Sequence, residues 1–202
     1  MSLGQTLKKY VRKVCPEVNQ EMFYNLGLMI VCWVSTSFTY FLVIFLVKYL
    51  PGNLYMNQLV SGFSVFGYLI VPALAGKFNN RIIMIIGYII TLIFLCLMLA
   101  AEEGFLDSTG ELGYSIVFLL FKTGVSMVFI SLFVIHQDLF HTKYLTSSYG
   151  VCNIFSRIAI LAAPRVAEIR DRTIPVGLMI GLNALALVAA YKLRMHQNKS
   201  HE

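Results

Sequence analysis

The feature that most constrains this chain is an uncharged apolar run over residues 82–101, long enough to cross the roughly 30 Å hydrocarbon core of a bilayer as a helix. Five other apolar runs of about 18 to 25 residues share this character. Backbone groups in lipid must be paired within the protein, and runs of this length without alternation favour helices over barrel strands. The six predicted spans cover residues 22–47, 55–75, 82–101, 112–135, 145–166 and 174–191.

The overall composition also indicates a membrane environment. The mean hydropathy of the chain is +0.74, and only 13% of its 202 residues are charged. So few charged side chains could not cover the surface of a soluble globule of this size. We therefore predict an all-α membrane protein with six transmembrane helices over residues 22–192, preceded by a basic amphipathic segment (1–21) and followed by a polar tail (193–202).

The basic residues are distributed unevenly between the two ends of the predicted helices. Basic residues are retained on the cytoplasmic side of a membrane, so both termini are predicted to lie in the cytoplasm or, for a mitochondrial inner membrane, in the matrix. The net charge of +6 mostly reflects this asymmetry, and no nucleic acid partner is expected. One end carries Lys8, Lys9, Arg12, Lys13, Lys77, Arg81, Lys143, Lys192, Arg194 and Lys199, and the other carries Lys48, Arg165, Arg170 and Arg172 beside an acidic cluster.

The first sixteen residues are basic and contain no acid. On a helix their apolar side chains lie near one face and their basic side chains mostly elsewhere. This pattern is typical of a mitochondrial targeting segment, and equally of an interfacial helix on the positive side of a membrane. On this pattern we favour the mitochondrial inner membrane over the plasma membrane.

Several residues in and between the spans stand at the spacings of motifs known from one protein family. They are Trp33, Ser35 to Phe38, Tyr40, Gly52 to Tyr55, Lys122, Gly124, Asp138 to Phe140, Thr142, Gly150, Cys152, Ser156 to Ile158, Ala163 and Pro164. In this order they resemble the C-terminal six helices of the organic cation/anion transporter (solute carrier) branch of the major facilitator superfamily. The resemblance implies one half of a twelve-helix bundle whose substrate site lies at the midplane between two halves.

The sequence departs from that family where the family places its moving parts. The loop after the second span reads Gly76-Lys77-Phe78-Asn79-Asn80-Arg81, so the charged latch D-R-x-G-R-R lacks its acid, its glycine and one arginine. Val65 and Gly67 stand where the family carries an intramembrane glutamate two residues before a proline. The acid of E-L-Y-P-T-x-x-R is kept as Asp138, with His141 and Leu145 in place of its proline and arginine. These changes suggest relaxed selection on transport.

Lys122 and Arg157 are the two charged residues placed within the membrane, away from the ends of the predicted spans, and burial makes such residues functional candidates. The resemblance implies that they bind substrate if transport is retained, with Arg157 in an anion-binding cavity. Alternatively, Lys122 snorkels toward the interface and Arg157 pairs with a carbonyl, a lipid phosphate or a neighbouring subunit. His136, Asp138 and His141 are interpreted as a polar helix end rather than a metal site. No catalytic residues and no cofactor are predicted.

Two functions follow from these observations. The first is an accessory, structural subunit of a larger membrane complex, such as a mitochondrial inner-membrane respiratory-chain complex, without transport activity. Its partners would be membrane lipids and other membrane-protein subunits. The second is a half-size organic ion transporter, active as a dimer or with a separate N-terminal half. A fragment of a longer gene product is a third interpretation.

Overall fold

The computed structural model describes residues 20–50, 54–102 and 110–194. All of its regular structure in these ranges is helical. Most of the predicted basic segment (1–21) and polar tail (193–202) lies outside the described residues, which include only 20–21 and 193–194 of them. The helices are α1 (Gln20–Leu46), α2 (Leu54–Phe63), α3 (Phe66–Ala75), α4 (Asn80–Glu102), α5 (Gly110–Leu139), α6 (Thr142–Ile160), α7 (Ala163–Ala167) and α8 (Thr173–Lys192), with a 3-10 turn, Val47–Tyr49, after α1.

The six predicted spans are confirmed within the described residues, so the chain is a multi-pass, all-α membrane protein. The fourth span continues four residues past its predicted end, to Leu139, because His136 is buried against the fifth span rather than solvated. The fifth span begins at Thr142, three residues earlier than predicted. The spans are Gln20–Tyr49 (α1), Tyr55–Ala75 (α2 and α3), Asn80–Ala101 (α4), Gly113–Leu139 (α5), Thr142–Ala167 (α6 and α7) and Thr173–Lys192 (α8).

The first and fourth spans form the centre of the bundle, and 61% of the apolar 18-residue segment of each is buried. Helix α1 packs against α5, α6, α7 and α8, whereas α5 packs against α2, α3 and α4. Helix α4 also packs against α8, which closes this side of the bundle. The second and fifth spans therefore lie at the periphery, with only 17% and 22% of the corresponding segments buried.

Glycines set the closest contacts between the central helices. A Cβ atom at Gly124 would lie 2.8 Å from Thr91 Oγ1, and one at Gly87 would lie 2.8 Å from Val128 Cγ2, so the backbones of α4 and α5 approach closely. Gly67 plays the same part between α3 and α5, where a Cβ would lie 2.7 Å from the Thr123 carbonyl oxygen. Small residues let two helices approach closely, and the resulting van der Waals contacts attract helices in lipid, where the hydrophobic effect does not.

Buried polar side chains connect the first span to the third and sixth. Tyr88 OH lies 2.8 Å from Thr36 Oγ1 and donates to the Cys32 carbonyl oxygen at 3.3 Å. Asn183 Nδ2 donates to Thr39 Oγ1 at 2.8 Å and to the Met179 carbonyl oxygen of its own helix. These bonds satisfy polar groups that lipid cannot solvate, and they join α1 to α4 and α8.

The start of α1 and the end of α8 meet at one end of the bundle. Asn25 Nδ2 donates to the Arg194 carbonyl oxygen at 2.9 Å, and an ion pair of 3.6 Å joins Arg194 to Glu21. Arg81, just inside α4, donates through Nε to the Ala190 carbonyl oxygen at 3.2 Å and also to the Tyr191 carbonyl oxygen. A cation at these C-terminal carbonyls stabilises α8. The assignment of this end to the matrix or the cytoplasm stays a prediction.

Candidate functional site

Lys122 lies in the interior of the fourth span and is only 7% exposed. Its ammonium donates a hydrogen bond to Ser61 Oγ of the second span and lies 5.6 Å from the centroid of the Tyr40 ring of the first span. A cation over an aromatic face is stabilised by the ring quadrupole. Lys122 therefore joins three spans at one buried point. The alternative that it snorkels toward the interface stays a prediction.

The second span is interrupted beside this lysine. Helix α2 ends at Phe63 and α3 begins at Phe66. Ser64 Oγ donates to the Ser61 carbonyl oxygen at 2.6 Å, so a side chain occupies an acceptor at the end of α2. The C-terminal end of a helix carries partial negative charge, which favours a nearby cation such as the Lys122 ammonium. The sequence contains only a weak signal for this break, the serine and glycine residues of Ser61-Gly62-Phe63-Ser64.

Polar side chains from three spans surround the lysine. Tyr68 forms side-chain hydrogen bonds with Tyr40 and Ser126. Ser126 is 2% exposed. We call Tyr40, Ser61, Tyr68, Lys122 and Ser126 the Lys122 cluster. It combines one cation with hydroxyl groups, so chemically it can hold an anion or join helices.

Arg157 occupies a different environment. It lies on the exposed face of α6 in the fifth span. Among the described residues, no hydrogen bond, ion pair or ring contact joins it to Lys122 or to any other side chain. The two predicted site residues are therefore not connected within this chain. The interpretation in which Arg157 pairs with a carbonyl of its own bundle finds no support in the described contacts.

An aromatic cluster fills the space between the first, fourth and fifth spans. Trp33 is 2% exposed, and its ring meets those of Phe133 at 4.8 Å, Tyr149 at 5.8 Å and His136 at 6.2 Å between centroids. His136 also stacks on Tyr149, with centroids 3.9 Å apart. The sequence singled out Trp33 through the resemblance alone. Aromatic residues spread over three spans share no spacing that reveals such a cluster beforehand.

The three residues of the His136, Asp138 and His141 pattern have separate structural roles. His136 Nε2 lies 2.8 Å from Ser148 Oγ, and Asp138 Oδ2 accepts a hydrogen bond from Asn80 Nδ2 at 2.8 Å. His141 caps α6, because its side chain accepts from the Lys143 backbone N–H. The partner of Asp138 is thus the side-chain amide of Asn80, which belongs to the altered latch sequence, and not an arginine of that sequence.

The bond between Lys122 and Ser61 yields a prediction about stability. We expect Ser61→Ala to lower the free energy of unfolding by about 1 to 3 kcal/mol, because it leaves a buried ammonium without its acceptor. Lys122→Met removes the charge at similar volume, so we expect stability to be unchanged or higher. Circular dichroism during titration of mixed micelles with a denaturing detergent measures both variants.

The double variant provides the control for this prediction. With methionine at position 122, Ser61→Ala should cost little, because the ammonium that needed the hydroxyl is gone. An equal cost of Ser61→Ala in both backgrounds would show that the hydrogen bond contributes nothing to stability.

Comparison with known proteins gives one informative similarity. No protein-family model matches the sequence. The chain is 26% identical over 139 residues to a Caenorhabditis elegans protein named as a "putative transporter". The match covers 68% of this chain but 27% of that protein, so the chain spans about a quarter of the length of the curated relative it matches. The chain is thus a six-span membrane protein with a distant similarity to a transporter-type protein.

Proposed function

We propose that this chain is a transporter-derived bundle that serves as an accessory, structural subunit of a larger membrane-protein assembly and does not itself transport solute. The observation that carries the proposal is a mismatch between polarity and exposure. The apolar 18-residue segments of the second and fifth spans have the lowest mean hydropathy, 1.6 and 1.3, and also the smallest buried share, 17% and 22%. Helices that face only lipid should be the most apolar ones, so protein contacts on these two spans explain the mismatch better.

The contacts of the charged residues support a static role. Lys122 is already bound to Ser61 and Tyr40, and it is shielded from water. At the end of the bundle where the resemblance places a latch, Arg81 caps α8 and Asn80 binds Asp138. These bonds lie within one six-helix unit, and they stabilise one arrangement rather than alternate between two. A structural subunit requires only one such stable arrangement.

The finer parts of the proposal rest on sequence patterns. The resemblance to the organic cation/anion transporter branch of the major facilitator superfamily suggests the ancestry of the bundle. The basic, acid-poor start of the chain favours the mitochondrial inner membrane, where a respiratory-chain complex would supply partner subunits and lipids. The distant similarity to a transporter-type protein fits this ancestry.

A second candidate function is transport of an organic anion by a bundle completed with another six-helix unit. The interruption of the second span at Ser64 and Val65, beside Lys122, favours it. Broken helices near the midplane form the substrate and ion sites of many secondary transporters. Away from their ends, the described spans carry two cations, Lys122 and Arg157, and no carboxylate, so an anion would be the substrate.

Two measurements on the native protein separate these functions. We expect the chain to migrate with a larger assembly on native gels of gently solubilised membranes. We also expect proteoliposomes containing the purified chain to take up neither labelled succinate nor labelled tetraethylammonium above protein-free vesicles. Succinate uptake that Lys122→Met abolishes would overturn the structural proposal in favour of the anion transporter.

A further inference from the structure

The exposed arginine of the fifth span has surroundings that do not suit it. Arg157 lies on α6 among exposed apolar side chains, and its neighbours Ile154, Ile158 and Leu161 are exposed by 61%, 61% and 77%. These three side chains are suited to lipid or to another apolar helix. The guanidinium beside them has no partner among the described residues.

The depth of Arg157 makes this arrangement costly. The fifth span runs from Thr142 to Ala167, so Arg157 lies fifteen residues from one end and ten from the other. At about 1.5 Å per residue, its Cα is roughly 15 Å from the nearer end, near the middle of a core of about 30 Å. An unpaired arginine at that depth is costly, because an ionised group in hydrocarbon loses its hydration. A carboxylate at the same depth would offset this cost through a bidentate pair.

Among the described residues, no carboxylate lies at that depth, in this chain or in a second copy of it. The described acidic residues lie outside the spans or in the terminal turns of a span. The two in terminal turns are engaged already, Glu21 with Arg194 and Asp138 with Asn80. The described set is Glu21, Glu102, Glu111, Asp138, Glu168 and Asp171.

The same face of α6 is shaped for a helix. Ser147, Gly150, Ile154 and Arg157 are all exposed and recur at intervals of three or four residues, so they lie along one stripe. A Cβ atom at Gly150 would meet nothing within 4 Å, so this part of the stripe is open. Small and polar residues on an exposed stripe permit the close approach and the hydrogen bonds that join helices in lipid.

We propose that the Arg157 stripe binds a transmembrane helix of a different polypeptide, which carries an aspartate or glutamate at the middle of the membrane. The inference rests on the proposed function and deepens it, because it names the chemistry of the partner and the point of attachment. A charge pair at the centre also fixes the register of the two helices, because any sliding along the axis would separate two charges in lipid.

The test compares full-length variants expressed in place of the native chain. Arg157→Gln removes the charge, and Arg170→Gln, in the loop after α7, is the matched control outside the spans. We expect Arg157→Gln to reduce the amount of chain that co-migrates with the assembly by tenfold or more, and Arg170→Gln to leave it unchanged. Arg157→Lys should retain part of the association, because it keeps the charge without the bidentate geometry.

A cross-link identifies the partner directly. A photoreactive amino acid at Ile154, one turn from Arg157, is expected to link to a transmembrane peptide that contains an acidic residue. Replacing that acid with arginine in the partner should restore the co-migration of Arg157→Glu. A link to a second copy of this chain, or to lipid alone, would overturn the inference.

The outcomes separate this inference from the proposed function. If Arg157→Gln co-migrates as fully as the native chain, the attachment point is wrong while the structural role stands. If the native chain joins no assembly, the proposed function fails and the inference fails with it. If Arg157→Gln assembles normally but loses succinate uptake that the native chain performs, Arg157 binds a substrate anion instead, and both proposals are overturned.

Discussion

Replacing Trp33 with alanine is expected to lower the free energy of unfolding by on the order of 3 kcal/mol. The indole is 2% exposed and meets the rings of Phe129, Phe133, His136 and Tyr149 across the fourth and fifth spans. Alanine would leave a cavity among rigid rings that cannot collapse into it. Packing is the main attraction between helices in lipid, so this loss falls on the contacts that hold the fifth span to the bundle.

Two variants control this prediction. Trp33→Phe keeps a ring in place and removes an indole N–H that has no hydrogen-bond partner among the described residues, so it should cost far less. Phe155→Ala removes a ring that is 49% exposed on the fifth span and should change stability little. Unfolding midpoints in mixed micelles provide the measurement. Equal losses for Trp33→Ala and Phe155→Ala would contradict the central role of the aromatic cluster.

Gly124→Val is expected to lower the free energy of unfolding by about 2 kcal/mol, because its side chain would force α4 and α5 apart. The first atom of that side chain would already lie 2.8 Å from Thr91 Oγ1 and 3.0 Å from the Thr91 backbone nitrogen. Backbone atoms cannot rotate away as a flexible side chain can. The separation would also disturb the neighbouring contacts of Lys122.

Gly181→Val is the matched control, since Gly181 also lies inside a spanning helix but a Cβ there would meet nothing within 4 Å. We expect this variant to unfold at the same denaturant concentration as the native protein, within about 0.5 kcal/mol. Similar losses for both glycine variants would show that helix propensity, not the approach of α4 to α5, explains the effect.

The positions of the six spans were predictable because the thickness of the hydrocarbon core sets the length of every crossing helix. The errors in the predicted ends of the spans were small and had local causes. His136 belongs to the fourth span because its ring is buried against Tyr149 and Ser148, although a histidine looks like a helix end in the sequence. At the break, the Ser64 hydroxyl reaches back to the Ser61 carbonyl oxygen, and serine makes such a bond in only some of its helical positions.

The candidate site was predictable only in part. Charge within an apolar run identified Lys122 and Arg157, because an ionised group in lipid is costly wherever it occurs. Their different environments could not be foreseen. Ser61 lies 61 residues from Lys122 along the chain, and the two meet only because the second span packs against α5. The sequence identified Arg81 only as a remaining residue of the altered D-R-x-G-R-R motif. In the fold it caps α8, more than a hundred residues away.

Hydrophobic run length was enough to establish six membrane-crossing helices, since each helix satisfies its own backbone and needs only lipid around it. The neighbours of each helix were not encoded in any single run. They depend on where the glycines at positions 67, 87 and 124 allow two backbones to approach, and on which buried hydroxyls and amides find partners in other spans. That packing leaves the two least apolar spans on the outside, and so it is the fold that leaves Arg157 exposed.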